Sequence, residues 1–212
     1  MKKMNKKGFT LIELLAVIII LGVLMIIAIP SVTQYIQNSR KSAMVDTASS
    51  FVDGVRTKVN EASDLKFFDT DTLYLVAVGD GEGDWKSCIS LEKGGSSPFG
   101  DWTKAYVGVT YDGKGYDYFF YGVDDSKQGI EFATQKELAD GEFKEKVNDS
   151  KELVQSGLEA WNAQSCVNSE SASPKCSSQG TKATDALTKA GGKTNLVVVN
   201  ATENGSCTYT AE

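Results

Sequence analysis

The chain has no histidine. That removes the commonest general base and the commonest metal ligand together, and no Ser–His–Asp set can exist. Cysteine is sparse, with only Cys88, Cys166, Cys176 and Cys207. None lies in a C-x-x-C pair, so a zinc site would lack paired thiolates as well as histidines. A phosphate-cradling glycine loop is also missing, since Gly94-Gly95-Ser96-Ser97 has neither the lysine nor the spacing. Positive charge is short too. The 22 Lys and Arg face 28 Asp and Glu, for a net −6 and a pI near 4.9. A protein that binds nucleic acid through its backbone needs a basic face to displace counterions, so that class is disfavoured. Catalysis is disfavoured as well. Cys88, were it a free thiol, has nothing near it in sequence to activate it.

What the chain does have is unevenly spread. Its 212 residues suffice for one ordinary domain plus an appendage, and 41% hydrophobic content supports a real core. Lys2, Lys3, Lys6 and Lys7 crowd the start, followed by Gly8. From Phe9 to Ile29 the chain is apolar apart from Thr10, Glu13 and Gly22. Those 21 residues form a helix of about 32 Å, the thickness of a bilayer's hydrocarbon layer. The lysines stay on the cytoplasmic side and the rest crosses, giving one span with the N-terminus inside.

A secretory signal peptide would have a shorter apolar region ending in a small-residue cleavage site, and none follows Ile29. A plain anchor explains the length but not Glu13. A carboxylate in the bilayer costs several kcal/mol and calls for a partner, unless it snorkels to the interface.

The run Lys7-Gly8-Phe9-Thr10-Leu11-Ile12-Glu13-Leu14 resembles the processing site of type IV prepilins and the related pseudopilins. The resemblance implies cleavage between Gly8 and Phe9 by a prepilin peptidase, and N-methylation of Phe9 by the same enzyme. It implies that Glu13 pairs with the N-terminal amine of a neighbouring subunit during assembly. Gly22 and Pro30 also stand where the family has them, in a stretch of helix that loosens in many of its filaments. The residues agree with this. Cutting after Gly8 creates one ammonium four residues before Glu13, and a buried carboxylate and ammonium each cost far less paired than alone. Pro30 lacks an N–H and clashes with the carbonyl of Ile26.

After Pro30 the apolar residues become periodic, with Val32, Tyr35, Ile36, Ala43, Met44, Ala48, Phe51, Val52, Val55, Val59 and Ala62 on one face of an amphipathic helix. One helix is therefore expected from about Phe9 to Ala62, its striped half packing on its own domain. Strands are expected at Leu73–Val78, Lys86–Leu91, Ala105–Tyr111 and Tyr116–Tyr121, the last two joined by the hairpin loop Asp112–Gly115. A helical pattern follows from about Gln135 to Gln164, interrupted by Gly141 and Gly157. Residues 165–182 read as an exposed loop, Asn195–Ala201 and Cys207–Thr210 as strands, and Glu203–Ser206 as a turn. The fold class is α+β, a long N-terminal helix packed against the antiparallel sheet that the family's heads carry. Residues 1–8 form a cytoplasmic leader, 9–30 the transmembrane and filament-core helix, and 31–212 the extracellular head.

An even cysteine count beyond a membrane segment suits disulfides in an oxidising compartment. Of three connectivities we favour Cys166–Cys176, closing a short loop, with Cys88–Cys207, tying the last strand to the sheet. No cofactor is expected. The weak exception is Ca²⁺ at Asp80, Glu82 and Asp84, alternate carboxylates in a glycine-rich turn. The EF-hand pattern fails there, because Trp85 and Leu91 stand where Gly and Glu belong, and a solvated turn is the ordinary reading. Asp124 and Asp125 read as a turn or cap.

The expected protein is thus a type IV pilus subunit. The alternatives are a pseudopilin of a type II secretion or competence system, or a minor adhesive tip pilin. Its partners would be copies of itself, minor pilins, the prepilin peptidase and methyltransferase, an inner-membrane assembly platform, and membrane lipid before assembly. No direct nucleic-acid binding is expected.

Overall fold

The computed structural model describes residues 10–61, 67, 69–79, 86–126, 128–141, 147, 187–201 and 206–210. Helix α1 spans Leu11–Glu61, and the chain divides into two compact units, Met1–Ser39 and Arg40–Glu212.

In the first unit the apolar residues of α1 are exposed on every side, Leu11 at 84% and Ile26 at 73%. Aqueous solvent does not tolerate such a surface. It is one helix long and apolar enough to cross a membrane. Pro30 lies inside it. Around that proline two hydroxyls turn back onto carbonyls four residues earlier, Ser31 Oγ to Ile27 O at 3.3 Å and Thr33 Oγ1 to Ile29 O at 2.9 Å. Such back-bonding competes with the helix ladder. The stripe predicted to be core from Val32 onward begins later, since Val32, Tyr35 and Ile36 are exposed and burial starts at Met44.

The second unit holds the rest of α1 and a six-stranded sheet. Its strands are β1 (Thr72–Ala77), β2 (Trp102–Tyr111), β3 (Tyr116–Asp124), β4 (Gly129–Thr134), β5 (Asn195–Ala201) and β6 (Cys207–Thr210), in the order β4-β3-β2-β1-β5-β6. All neighbours are antiparallel except β1 and β5, which run parallel with Leu73 opposite Leu196. The α+β class holds, but the sheet is mixed where an antiparallel one was expected. A parallel pair needs a long crossover, and the sequence between β1 and β5 supplies it.

Alternation along the strands makes two buried faces. On one, Tyr74, Val76, Val107, Val109, Phe120 and Val199 pack with Met44, Ala48, Phe51, Val52 and Val55 of α1. On the other, Leu75, Tyr106, Phe119, Tyr121, Phe132 and Val198 form a second cluster. The β2–β3 hairpin closes at Tyr111 opposite Tyr116. There Asp112 Oδ1 accepts from the backbone N–H groups of Lys114 and Gly115 at 2.8 and 2.7 Å, and Gly113 takes φ 89°.

Two expectations differ. Lys86–Leu91 makes only a bridge at Lys86, whose carbonyl accepts from Ala201 N at 2.9 Å. Its apolar residues Ile89 and Leu91 pack instead on the cluster beneath α1. The segment then runs back along α1. Lys93 O lies 2.9 Å from where a Cβ on Gly54 would sit, and a Cβ on Gly94 would fall 2.5 Å from the Phe51 ring. Strand β4 was not anticipated. It follows a register shift between Phe120 and Gly122, and Phe132 sits at φ 25°.

The helix expected from Gln135 to Gln164 is only the short α2 (Gln135–Leu138), capped by a reciprocal Thr134–Glu137 box, and it gives way to a turn at 139–141. Val147 is buried with the α1-side cluster, and 142–146 and 148–164 of that stretch lie outside the described residues.

Candidate assembly site

Thr10 precedes the first helical residue and Glu13 stands at the third. The Thr10 N–H and the Thr10 hydroxyl both donate to Glu13 Oε2 at 2.8 Å, and the Glu13 N–H donates back to Thr10 Oγ1 at 3.3 Å. The ladder opens with Leu14 N donating to Thr10 O at 3.2 Å. This is a capping box, in which two otherwise orphaned helix-start donors are satisfied reciprocally. The carboxylate that sequence reasoning singled out as needing a partner therefore has one within its own chain. Thr10 is the residue that reasoning passed over. The T-x-x-E spacing ahead of an apolar run was the available signal.

Chemically, both cis hydrogen bonds converge on Oε2, and no described donor reaches Oε1. An ammonium brought to this point would find an acceptor oxygen whose negative charge is only partly compensated. Gly8 and Phe9, the predicted cleavage and methylation positions, lie outside the described residues. Gly22 sits on the exposed helix with open space around its Cα, and Pro30 directly precedes Ser31, the first of the two back-bonded hydroxyls, with Thr33 three residues on.

Elsewhere, Cys88 and Cys207 are joined, with Cα atoms 4.9 Å apart. Cys166 and Cys176 lie outside the described residues, as do the Ca²⁺ candidates Asp80, Glu82 and Asp84. Among the described residues no group of three or more acidic or cysteine side chains could hold a metal.

Asp124 is a structural carboxylate that sequence reasoning read as a turn. It is buried, accepts from Ser97 Oγ at 2.6 Å and from Gln128 N at 2.9 Å, and so ties the loop before β2 to the β3–β4 turn. Burial pushes its carboxyl above the ordinary value, against the pull of those two hydrogen bonds. Tyr118 is pushed up to about 12, chiefly by burial. A cleft of about 590 Å³ lies over Phe51, lined by Lys86, Ser87, Ile89 and Lys93 among others.

Comparison with known proteins bears on the N-terminal part. The family model described as the prokaryotic N-terminal methylation motif matches residues 3–29. The ComG operon protein 3 homolog of Bacillus licheniformis and the competence protein ComGC of Bacillus subtilis are each 50% identical over 38 residues, 18% of this chain and 39% of the relative. The match therefore spans well under half the length of those relatives. No solved structure matches significantly. The chain carries a prepilin-type N-terminus of the type IV pilin and competence pseudopilin kind, and its apolar helix marks a membrane-anchored precursor.

Proposed function

We propose that this chain is a structural subunit of a type IV pilus-like filament, cut after Gly8, methylated at Phe9 and assembled by packing of its N-terminal helices. The observation that carries the reading is the placement of Glu13. A carboxylate at the head of a helix whose apolar residues are exposed on every side gains most from a cation supplied by an identical neighbour. The new amine at Phe9 is such a cation. Methylation leaves it charged. The head then lies on the outer side of the membrane and, after assembly, on the filament surface, where a disulfide is stable. The assembly partners are further copies, minor subunits and the processing enzyme. The reading is of a structural protein and assigns no catalytic role.

A second reading, a competence-type pseudopilin, is favoured by the names of the two Bacillus relatives. Disrupting the gene separates the two. Loss of transformability without loss of long surface filaments supports the competence reading, and loss of abundant sheared filaments supports the pilus.

The test of the common core is mass spectrometry of the N-terminus in sheared surface material. N-methylated Phe9 is expected. A surface fraction whose chains still begin at Met1 overturns the proposal.

A further inference from the structure

From residue 86 to residue 101 the chain forms no helix and only the one bridge at Lys86. Connections past roughly 12–15 residues without secondary structure are usually either functional or disordered. This one is pinned along its length. Lys86 O accepts from Ala201 N at 2.9 Å, Cys88 is bonded to Cys207, and Ile89 and Leu91 pack on the core. Gly94 lies against Phe51, where a Cβ would come within 2.5 Å of the ring. Trp102 Nε1 donates to Gly95 O at 2.8 Å, and Ser97 Oγ donates to Asp124 Oδ2 at 2.6 Å. A loop tied so often holds its shape before any ligand arrives, which lowers the ordering cost of binding.

The shape it holds is the cleft of about 590 Å³, within the roughly 300–1,000 Å³ typical of small-ligand sites. Buried Phe51 and half-buried Ile89 and Leu91 give it an apolar floor. Its other lining side chains are polar, and Lys86, Ser90, Lys93 and Ser96 are exposed. Among the described residues nothing hydrogen-bonds or ion-pairs with those four side chains. The Ser87 hydroxyl, by contrast, is engaged with the Ile89 backbone at 3.0 and 3.2 Å. Two ammonium groups stand against one carboxylate, Glu92, so the lining is locally positive in a chain of net −6.

An apolar floor beside hydroxyls and ammonium groups suits a ring with a C–H face, a hydroxyl edge and a carboxylate. A phosphodiester polymer gains little here, because two lysines release too few counterions to hold it at physiological salt. Negative charges elsewhere on the chain are screened beyond roughly 8 Å. We propose that the cleft formed by residues 86–96 binds a short saccharide carrying a carboxylate. Lys86 and Lys93 hold its charge, Ser90 and Ser96 its hydroxyls, and its apolar face lies over Leu91 and Phe51. This gives the head a recognition role beyond the filament reading, and it stands whether or not the chain polymerises.

The test uses the full-length chain in detergent and saturation-transfer NMR. The probes are a glucuronate-containing disaccharide, N-acetylneuraminic acid, and the methyl ester of each. At least one acid should bind saturably, and which one does so tells a uronic from a sialic source. Its ester should bind about tenfold more weakly, and the acid should lose as much with a Lys86→Gln, Lys93→Gln variant. Ser96→Trp, filling the cleft from an exposed position, should abolish binding. Both variants should keep the native Tm and an oxidised Cys88–Cys207 bridge.

No binding by either acid overturns the proposal. So do equal affinities for acid and ester, unchanged affinity in the double variant, or displacement by equimolar inorganic phosphate, which would make the cleft a general anion site. Should a variant melt early, a photoreactive form of the bound acid decides on the native chain. A crosslink to residues 86–96 supports the site, and a crosslink elsewhere, or none, overturns it.

Discussion

At the scale of single residues, Glu13 caps its own helix, and substitution can separate that role from the proposed pairing with a neighbour's amine. Glutamine at the third helical position completes a capping box as glutamate does, but it carries no charge for a neighbour's amine. Glu13→Gln should therefore leave helix start, membrane insertion and head folding intact while reducing sheared filament at least tenfold. Losing one partner of a desolvated ion pair costs about 3–5 kcal/mol. Glu13→Ala removes cap and charge together and should be no better. The check is an immunoblot of sheared against membrane fractions. Normal filament from Glu13→Gln would leave the cap as the carboxylate's whole purpose.

Asp124 makes a prediction of opposite character. Its folded-state carboxyl sits above the ordinary 3.8 because burial penalises the charge. In the window above 3.8 the folded chain thus holds its proton more tightly than the unfolded chain. Stability from this group falls as pH rises through that window and is level above it. Asp124→Asn cannot titrate. The Tm of the native chain minus that of the variant should be greatest near pH 4 and shrink toward neutrality, as read by circular dichroism melts across pH. A difference independent of pH would contradict the assignment.

At the scale of elements, the Cys88–Cys207 bridge ties the segment that lies along α1 to edge strand β6. It spans 119 residues of sequence. Closing so long a loop restricts the unfolded chain strongly, and removal should cost about 2–4 kcal/mol. Urea unfolding of a Cys88→Ser, Cys207→Ser variant measures this, with variant and native chain each compared oxidised and under reductant. Under reductant the two should unfold at similar urea concentrations, and without it the variant should unfold well below the native chain.

Local chemistry decided which elements could be read from sequence. The β2–β3 hairpin was legible because Asp112-Gly-Lys-Gly115 dictates a tight turn, and β5 and β6 because their boundaries are set by turn residues. Strand β4 was not, since its pairing depends on a bulge opposite β3 and on the unusual backbone of Phe132. Lys86–Leu91 has strand-like residues, but Ile89 and Leu91 serve packing beneath α1 and not a ladder. The parallel β1–β5 pairing follows from where a long connection returns, which no local pattern encodes. In the candidate site Glu13 was conspicuous because a charge in an apolar run is costly, while Thr10 was not, because a hydroxyl there offends no pattern. Its role is visible only as a reciprocal pair.

At the scale of the whole molecule, the proposed maturation changes the electrostatic character. Lys2, Lys3, Lys6 and Lys7 all precede the expected cut, and the leader holds no acidic residue. A chain cut after Gly8 keeps 18 basic against 28 acidic side chains, a net −10. Repeated along the proposed filament, that charge gives a surface which repels phosphate backbones, and exposed charges still act across roughly 8 Å at physiological ionic strength. The competence names of the Bacillus relatives make this worth testing directly. Affinity for duplex DNA comes largely from cations that displace counterions, so purified filaments should not retard DNA at about 0.15 M salt, whatever part the filament has in competence. The uncut precursor is the informative contrast, since it keeps four lysines grouped at one end. Blocking cleavage, for example with Gly8→Val, and assaying the detergent-solubilised chain should show more DNA retention than the mature form, falling steeply with added salt. Equal retention by both forms, insensitive to salt, would mean that the head contacts DNA by something other than charge.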